Sequence, residues 1–525
     1  MVSLIERYGN WAAAGIVLLA AILVWQTFPD PADYHVGADE GTYYRQGMAL
    51  VDQGVEPGFR RIAQDYLHTP EQQLFPNPLR IGTILPAALS LRIDPAYRSL
   101  SFLSLIAFVV LLAGVWQFAA MRFGRVPALA MLLLLAVSPL ALALARRALM
   151  DSLAYAAAVC SLLAFFRLIE NRGRFLLSGF IVSMTLAILV KETAVLLCPF
   201  YAAVLLYMKL TKEVQLTWTQ LAAAIVLPSA LTVLGYFSAY GIDSAVAIMR
   251  LVPHVVSANI EYTANFMQGP WHRYLLDFLL LEPWVFLLAL GYGGYMLAVR
   301  TDRRAWILLA LAGYLLFAYS FMPKDARYLP LLDLVQRIFA IALLFQLPQM
   351  FRGRFDSTRG WPSLHIAASW LPMAAIGLLV AADLHAFRRY FVVGQIYDPV
   401  TDNLLRVDHI IPDSPSSSSP PARSSIALET AKQRWLEQPT AGNARQLSYE
   451  YCAGGAYLEC RWASQEALKI APGDAGAYNN LCTAFGGLRQ WTQAVAACRE
   501  AMRLKPDFQL ARNNLEWALH EEAKK

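Results

Sequence analysis

The chain has 525 residues, of which 57% are hydrophobic and 16% charged, and its formal net charge is +6. This composition excludes an ordinary soluble globular protein of the same length. The small positive charge gives no case for nucleic-acid binding, and the lack of a glycine-rich phosphate loop in the sequence argues against an ATP-driven pump.

Apolar segments long enough to cross a bilayer recur along the first three quarters of the chain. The first has no small-residue cleavage site after it and is followed by Pro29, Asp30 and Pro31, which favours a retained signal anchor over a cleaved leader. The sequence therefore predicts an all-α, polytopic membrane protein with about eleven spans. The predicted spans are residues 11–28, 97–120, 127–145, 152–169, 175–190, 193–208, 218–240, 281–299, 305–321, 329–350 and 364–382.

Lysine and arginine are concentrated in alternate loops, and this pattern predicts the orientation. With the N-terminus in the cytoplasm, the inside loops hold cations such as Arg122, Arg174, Lys209, Arg303 and Arg352. An odd number of spans then places everything after residue 382 on the outer side, which is the periplasm in a Gram-negative bacterium. The predicted location is the inner membrane.

This orientation gathers acids and bases at the outer ends of the spans, where ionisable residues usually have a function. For a single cation such as Lys191 or Arg327, the alternative is an interface anchor whose charged end reaches the water. Anchoring explains poorly why acids and bases recur together. The outer set comprises Asp39, Glu40, Arg80, Arg146, Arg147, Asp151, Lys191, Glu192, His272, Arg273, Asp277, Lys324, Asp325 and Arg327.

The first outer loop, residues 29–96, is too long for a simple connection. The segment that begins at Asp39 and Glu40 predicts an amphipathic helix along the membrane interface. Asp39 is either a functional carboxylate or the N-cap of that helix. Farther along, Pro76 and Pro78 predict an extended turn that puts Arg80 at the start of an apolar run.

The order of these features resembles the GT-C membrane glycosyltransferases. Within them the chain is most similar to the branch containing protein O-mannosyltransferases and lipid A aminoarabinose transferases, over about residues 1–350. One departure is Pro76-Asn77-Pro78, where relatives often have two adjacent prolines. The resemblance rests on the acid after the first span, the P-x-P-L-R turn, Arg-Arg-x-x-x-Asp at residues 146–151, Lys191, Arg327-Tyr328, and the strings VKETAVLL, GPWHRYLLDFLLLEP and ARYLPLLDLV.

The resemblance implies transfer of a sugar from a polyprenyl-phosphate carrier, such as undecaprenyl phosphate, to a protein, lipid or glycan, with inversion at the anomeric carbon. Such a reaction needs one carboxylate as general base, and Asp39 is the candidate, with Glu40 as its substitute. Cations that neutralise the departing phosphate are expected to matter more than a general acid. The residues expected to bind the donor are Arg80, Arg147, Asp151, Lys191, His272, Arg273, Arg327 and Tyr328.

No metal site is predicted. Some enzymes of this kind use a divalent cation, and Asp39, Glu40, His68, Asp151 and His272 offer ligand atoms. Their spacing matches no metal-binding motif, so the sequence leaves the need for a divalent cation open.

Two other classes of function stay open at this point. A lipid or solute transporter would also have many spans and intramembrane charges, but it usually shows repeated halves with broken helices near the midplane. A non-catalytic membrane anchor that presents a repeat domain as a scaffold would not need acids and cations gathered at one membrane face.

The chain changes character after residue 382. Residues 383–425 are predicted to connect a membrane domain, residues 1–382, to a helical domain, residues 426–525, and they end in a Ser/Pro linker at 412–425. The helical domain is expected to bind a partner protein, to cover the membrane domain or to pair two copies. Its predicted 34-residue tetratricopeptide pattern uses Leu447, Tyr451, Ala467 and Pro472, then Tyr478, Leu481, Phe485, Ala494, Ala501 and Pro506, before a last helix at 509–522.

Four of the six cysteines lie in this helical domain. In an oxidising compartment they predict the bridges Cys452–Cys460 and Cys482–Cys498, each joining the two helices of one repeat. The alternative is that they are small residues filling tight helix crossings. Cys160 and Cys198 lie in predicted spans and are expected to serve packing.

Overall fold

Helices dominate the part of the chain that the computed structural model describes, and no strand occurs in it. The described residues are 2–30, 34–35, 39–68, 76–170, 174–257, 269–299, 303–355, 362–410, 426–454, 456–488 and 490–523. The predicted Ser/Pro linker at 412–425 lies outside them.

The chain forms two compact units. We call Met1–Phe28 with Gln46–Val407 the membrane unit, and Pro29–Arg45 with Asp408–Lys525 the C-terminal unit. The division differs from the predicted domains in two places. Residues 29–45 belong with the C-terminal unit, and residues 383–407, predicted as connector, belong to the membrane unit, where Phe387, Tyr390 and Phe391 are buried.

Eighteen helices precede the predicted linker in the described residues. They are α1 (Val2–Gln26), α2 (Asp39–Gln53), α3 (Val55–His68), α4 (Ile81–Ile93), α5 (Tyr97–Phe123), α6 (Arg125–Ala136), α7 (Pro139–Arg146), α8 (Asp151–Glu170), α9 (Arg174–Val190), α10 (Leu197–Leu210), α11 (Trp218–Tyr240), α12 (Ile242–Ser257), α13 (Arg273–Leu281), α14 (Pro283–Ala298), α15 (Arg303–Tyr319), α16 (Pro330–Phe355), α17 (Pro362–Ala386) and α18 (Thr401–Val407).

Six helical segments among the described residues are long and apolar enough to cross a bilayer. The other predicted spans fall on shorter helices such as α9, α14 and α15, or on α17, whose first part is not fully described. The total of about eleven therefore stays a prediction. The six segments are Arg7–Gln26, Tyr97–Phe123, Asp151–Glu170, Glu192–Leu210, Trp218–Tyr240 and Pro330–Leu347.

The predicted span at 127–145 is not one straight helix. It consists of α6 and α7, which meet at an angle of 55°. Pro139 cannot continue α6 because it has no backbone N–H, and Ser138 caps α7 by accepting a hydrogen bond from the Ala141 N–H. The same Ser138 hydroxyl donates to Asp333 Oδ2 at 2.9 Å, so a tertiary contact also fixes the break.

The segment predicted as the first outer loop contains the helix expected from Asp39 onward, and it contains two further helices. α2 begins at Asp39, and its residues from Gln46 onward belong to the membrane unit together with α3 and α4. The apolar face of α3, with Phe59 and Tyr66, packs against Tyr236 and Tyr240 of α11. Phe59 and Tyr240 meet edge to face at 5.2 Å.

The C-terminal unit contains six further helices after the linker. Equivalent helices begin 34 residues apart, at 441, 475 and 509 and at 457 and 491, which matches the predicted period. The tetratricopeptide assignment itself stays a prediction. The helices are α19 (Ile426–Glu437), α20 (Ala441–Ala453), α21 (Tyr457–Ile470), α22 (Ala475–Gly487), α23 (Trp491–Leu504) and α24 (Gln509–Glu522).

Both predicted disulfides are present in the structure. Cys452–Cys460 joins α20 to α21, and Cys482–Cys498 joins α22 to α23. Each bridge closes one helical hairpin. Cys160 and Cys198 carry free thiols and are half-buried in the membrane unit, as expected for packing residues.

Candidate active site

Three breaks between helices bring charged side chains together in the membrane unit. Asp151 begins α8 directly after Met150, which adopts a left-handed conformation with φ of 60°. Lys191 is extended between α9 and a 3₁₀ turn, Glu192–Leu196. Arg327 lies in a second 3₁₀ turn, Ala326–Tyr328, whose N-cap Asp325 accepts from the Arg327 N–H at 2.9 Å. These three breaks bring the side chains of Asp151, Lys191 and Arg327 close enough to form ion pairs.

We call the resulting group the Lys191–Arg327 cluster: Asp151, Lys191, Asp325, Arg327 and Asp398, all buried. Lys191 Nζ donates to Asp151 Oδ1 at 2.6 Å, and Arg327 Nη1 lies 3.8 Å from Asp151 Oδ2. Arg327 also pairs with Asp325 at 2.6 Å and with Asp398 at 2.7 Å. These pairs hold the cations in fixed positions, because a buried charge needs a partner.

Burial raises the pKa of Asp325 to about 7, against the lowering effect of Arg327. This carboxyl group lies outside the membrane-spanning segments.

Two tyrosine rings lie beside the cations of the cluster. The Tyr328 ring centroid lies 4.8 Å from Lys191 Nζ and 5.6 Å from Arg327 Cζ. The Tyr397 ring centroid lies 5.0 Å from Arg147 Cζ and 5.4 Å from Arg327 Cζ. Cation–π contacts of this kind attract the cations electrostatically, and they join the predicted residue Arg147 to the cluster.

Arg80 reaches the same region through the turn that the sequence predicts. Its Nε and Nη2 donate to the two oxygens of Glu192 at 2.7 and 2.9 Å. Two residues later, a Cβ added at Gly82 would lie 2.9 Å from Val190 N. Thr83 Oγ1 donates to Val190 O at 2.8 Å. Glycine thus permits the start of α4 to contact the end of α9, and this contact places Arg80 beside Glu192.

A small cleft of about 40 Å³ opens beside the cluster. Its polar lining residues are Lys191, Arg327 and Tyr328 together with Thr193 and Tyr319. The remaining wall is apolar and rich in small side chains. It consists of Ala154, Ala158, Ala187, Ala194, Leu197, Leu315, Leu329, Pro330 and Leu331. A cleft lined by two cations and by apolar side chains suits an amphiphile with an anionic head.

Lys191 has unused hydrogen-bonding capacity toward this cleft. An ammonium group has three N–H donors. Within the part of the chain that the structure describes, Asp151 is the hydrogen-bond acceptor found for Nζ, although the residue is only 8% exposed. The remaining donors are available to a ligand in the cleft.

The structure puts Asp39 and Glu40 in the C-terminal unit, at the start of α2. Asp39 is half-buried, and Glu40 is fully buried with Oε2 accepting from the His35 N–H at 2.7 Å. Two acids in the first turn also suit the positive end of the helix dipole. The roles proposed for both residues stay predictions.

His272 and Arg273 belong to a different group in the membrane unit. His272 is the exposed N-cap residue of α13, and Arg273 Nη2 lies 3.2 Å from Asp402 Oδ1. Nearby, burial raises the pKa of Asp277 to about 7 although Thr401 donates a hydrogen bond to it. Burial, with the charge of Arg273, lowers the pKa of Lys324. A role in donor binding stays a prediction for His272 and Arg273.

The sequence reasoning missed a second buried charge group. Arg337 is 0% exposed and pairs with Asp333 at 2.8 Å, with Asp383 at 2.6 Å and with Glu282. Asp333 Oδ2 also accepts from Tyr155 OH at 3.0 Å. The available signal was an Asp and an Arg four residues apart inside a predicted span. Asp398 and Glu192, the partners of Arg327 and Arg80, were also missed as site residues.

No group of three metal-ligating side chains occurs among the residues described by the structure.

Comparison with known proteins adds a family match. Residues 82–236 match the family model of dolichyl-phosphate-mannose-protein mannosyltransferase, and this stretch includes Gly82, Asp151 and Lys191. Comparison with curated protein sequences gives no match.

Two solved structures are similar at low identity. One is the apo oligosaccharyltransferase of Archaeoglobus fulgidus, with TM-score 0.47, 12% identity, and coverage of 83% of this chain and 59% of that one. The other is apo ArnT from Cupriavidus metallidurans, with TM-score 0.44, 14% identity and coverage of 93% and 79%. The chain thus spans 59% of the archaeal enzyme. Residues 82–236 of this chain are thus similar to the dolichyl-phosphate-mannose-protein mannosyltransferase family.

Proposed function

We propose that the protein transfers a sugar from a polyprenyl-phosphate carrier to an acceptor on the outer side of the inner membrane, with inversion at the anomeric carbon. The observation that carries the proposal is the cleft beside the Lys191–Arg327 cluster. Its lining includes an ammonium with unused N–H donors, a guanidinium and many apolar side chains. A phosphate on a polyprenyl chain has the matching distribution of charge and apolar surface.

The cations have a defined part in this reaction. When the bond between the anomeric carbon and the phosphate oxygen breaks, negative charge grows on the phosphate. Lys191 stabilises it as a point charge, and Arg327 can hold two phosphate oxygens at once. Asp151, Asp325 and Asp398 fix both cations before the donor arrives, so little reorganisation is needed during the reaction. Arg80 and Arg147 add positive charge around the same region.

Asp39 is the proposed general base, with Glu40 as its neighbour in the first turn of α2. It would remove the proton from the acceptor hydroxyl as that oxygen attacks the anomeric carbon. Asp39 is the better candidate of the two because it is half-buried, whereas Glu40 is fully buried and accepts a backbone hydrogen bond.

Donor binding is tested with undecaprenyl phosphate and purified protein in mild detergent, by native mass spectrometry. Lys191→Ala and Arg327→Ala should each lower the bound fraction about tenfold, because one charged hydrogen bond to phosphate is lost. Lys209→Ala is the matched control. Lys209 also ends an apolar helix and lies 5.5 Å from an aromatic ring, that of Trp218, but it does not line the cleft. Equal binding by all four proteins would refute the proposed phosphate site.

Transfer is tested with radiolabelled undecaprenyl-phosphate sugars and a membrane or periplasmic extract as the source of acceptor. Asp39→Asn should lower transfer by about 10²–10⁴-fold, the usual contribution of a general base, while undecaprenyl phosphate still binds. Transfer that continues unchanged in this variant would refute the assigned base. Labelled lipid that crosses liposomes without transfer to any acceptor would instead favour the transporter class.

A further inference from the structure

The segment that carries the proposed base is part of the C-terminal unit. Residues Pro29–Arg45 follow the first membrane helix in the chain, yet they form one compact unit with Asp408–Lys525. Asp39 and Glu40 lie in this segment, and α2 continues from them into the membrane unit. The C-terminal unit therefore includes Asp39 and the start of α2.

His35 connects this segment to the helices of the C-terminal unit. Its Nδ1 lies 3.5 Å from Glu459 Oε1, and the two side chains are only 17% and 10% exposed. The backbone of the same residue binds the start of α2, since its N–H donates to Glu40 Oε2 at 2.7 Å and its C=O accepts from the Gly41 N–H at 3.4 Å. One residue thus contacts Glu459 on one side and the helix start beside Asp39 on the other.

Glu459 is itself in a constrained position. It lies in the first turn of α21, where Ala456 provides no side-chain cap, and it directly precedes Cys460. The Cys452–Cys460 bridge joins this turn to the end of α20. Burial raises the pKa of Glu459, but the hydrogen bond and charge of His35, a backbone hydrogen bond and the charge of Lys432 together lower it more, so the net shift is downward. An ionised carboxylate only accepts hydrogen bonds, and His35 is thereby fixed as the donor.

We infer that the C-terminal unit positions the proposed catalytic carboxylate. The Cys452–Cys460 bridge restrains the turn that carries Glu459, and Glu459 contacts the His35 side chain. The backbone of His35 in turn forms hydrogen bonds with the first turn of α2, which carries Asp39. The inference rests on the proposed function only for the role of Asp39. His35 and Glu459 are positioning residues, because they act through the helix start and touch no substrate. A misplacement of about 1 Å in a catalytic group can reduce the rate about 10²-fold, so such a chain of contacts can matter for activity.

The first test measures the position of α2 without any activity assay. Amide hydrogen exchange at residues 41–44 should become about tenfold faster in Glu459→Ala and should return to the wild-type rate in Glu459→Gln, whose amide oxygen still accepts from His35. The control is Glu466→Ala, on the same helix α21, where Glu466 pairs with Lys469 at 2.8 Å. Equal exchange in Glu459→Ala and Glu466→Ala would overturn the inference.

The second test compares the two disulfides. Replacing Cys452 and Cys460 by Ser should speed exchange at residues 41–44, whereas replacing Cys482 and Cys498 should not. The second bridge joins cysteines 16 residues apart, and the first joins cysteines 8 residues apart. Removing the second bridge therefore increases the conformational entropy of the unfolded chain at least as much, which makes it a stringent control for loss of stability. The same effect from both double variants would mean that only general destabilisation of the unit is involved, and the positioning path would be wrong.

The third test separates the inference from the proposed function. Glu459→Ala should lower kcat about tenfold and leave the KM for the lipid donor unchanged, because the phosphate cleft lies in the membrane unit. If residues 41–44 loosen while Asp39→Asn leaves transfer intact, the assigned base is wrong and the contact path stands. If Asp39→Asn abolishes transfer while Glu459→Ala matches Glu466→Ala in exchange and kcat, the base stands and the positioning inference is wrong.

Discussion

Gly82→Ala should damage both the packing of α4 and the function of Arg80. The added Cβ would lie 2.9 Å from Val190 N and 3.0 Å from both Leu189 C and Val190 Cγ2. These distances are too short for carbon, and two of the three atoms belong to the backbone, so α4 and α9 must move apart by a few tenths of an ångström. Overpacking costs about 1–3 kcal/mol, while alanine recovers about 0.5–1 kcal/mol relative to glycine in a helix.

The net destabilisation should therefore be about 1–2 kcal/mol, and it should appear as a lower Tm in detergent. The same displacement moves Arg80, two residues before Gly82, away from the two oxygens of Glu192. Because small misplacements near a reacting group are costly, transfer should fall about tenfold.

Gly114→Ala in α5 is the matched control. Its added Cβ would meet only Leu163 Cδ1, at 3.8 Å, which is ordinary van der Waals contact. This variant should keep its activity and should melt at the wild-type temperature or slightly above it. If both alanine variants behave alike in melting and transfer, close contact between α4 and α9 does not position Arg80, and the reasoning is refuted.

Two further predictions concern the remaining buried charges. Arg337→Gln leaves Glu282, Asp333 and Asp383 without their common cation, so the Tm in detergent should fall by an amount corresponding to about 3–5 kcal/mol. Asp383→Asn should lower the Tm less. Equal melting temperatures of the two variants would contradict this role of Arg337. The folded-state pKa of Asp277, about 7, lies above its value in the unfolded chain. Between these two pKa values the folded protein keeps a proton that the unfolded chain loses. The contribution of Asp277 to the free energy of unfolding therefore declines as pH rises from about 4 to 7. Asp277→Asn should therefore gain Tm relative to the wild type between pH 5 and pH 8, and a difference that does not change with pH would exclude the raised pKa.

Most of the secondary structure of the spans followed from the sequence, because an apolar stretch of bilayer length is a local property. The helices that begin at Tyr97, Asp151 and Trp218 start within one residue of the predicted span starts. The bend within the predicted span 127–145 also has a local cause. A hydropathy window averages over Pro139, although a proline preceded by a capping serine ends one helix and starts another.

The bridges Cys452–Cys460 and Cys482–Cys498 were also predictable. Each pair lies within one predicted helical hairpin, with its cysteines 8 or 16 residues apart, so the pairing depends only on short separations along the chain.

The pairing of charges could not be read from the sequence in the same way. Asp151, Lys191 and Arg327 were each chosen from the sequence, but Asp398 as a partner of Arg327, and Glu192 as the partner of Arg80, depend on which helix ends become neighbours. The assignment of residues 29–45 to the C-terminal unit, and with it the contact of His35 with Glu459, depends on packing between segments more than 400 residues apart.

From the sequence alone we could thus predict where most of the helices lie, which residue types carry charge near their ends, and one possible pairing of the cysteines, since these follow from local length, spacing and composition. Only the tertiary structure decided which acid neutralises which base and which unit holds the start of α2. The physical reason is that Coulomb energy depends on distance in space and on burial, and both are set by the packing of helices that lie far apart in the chain.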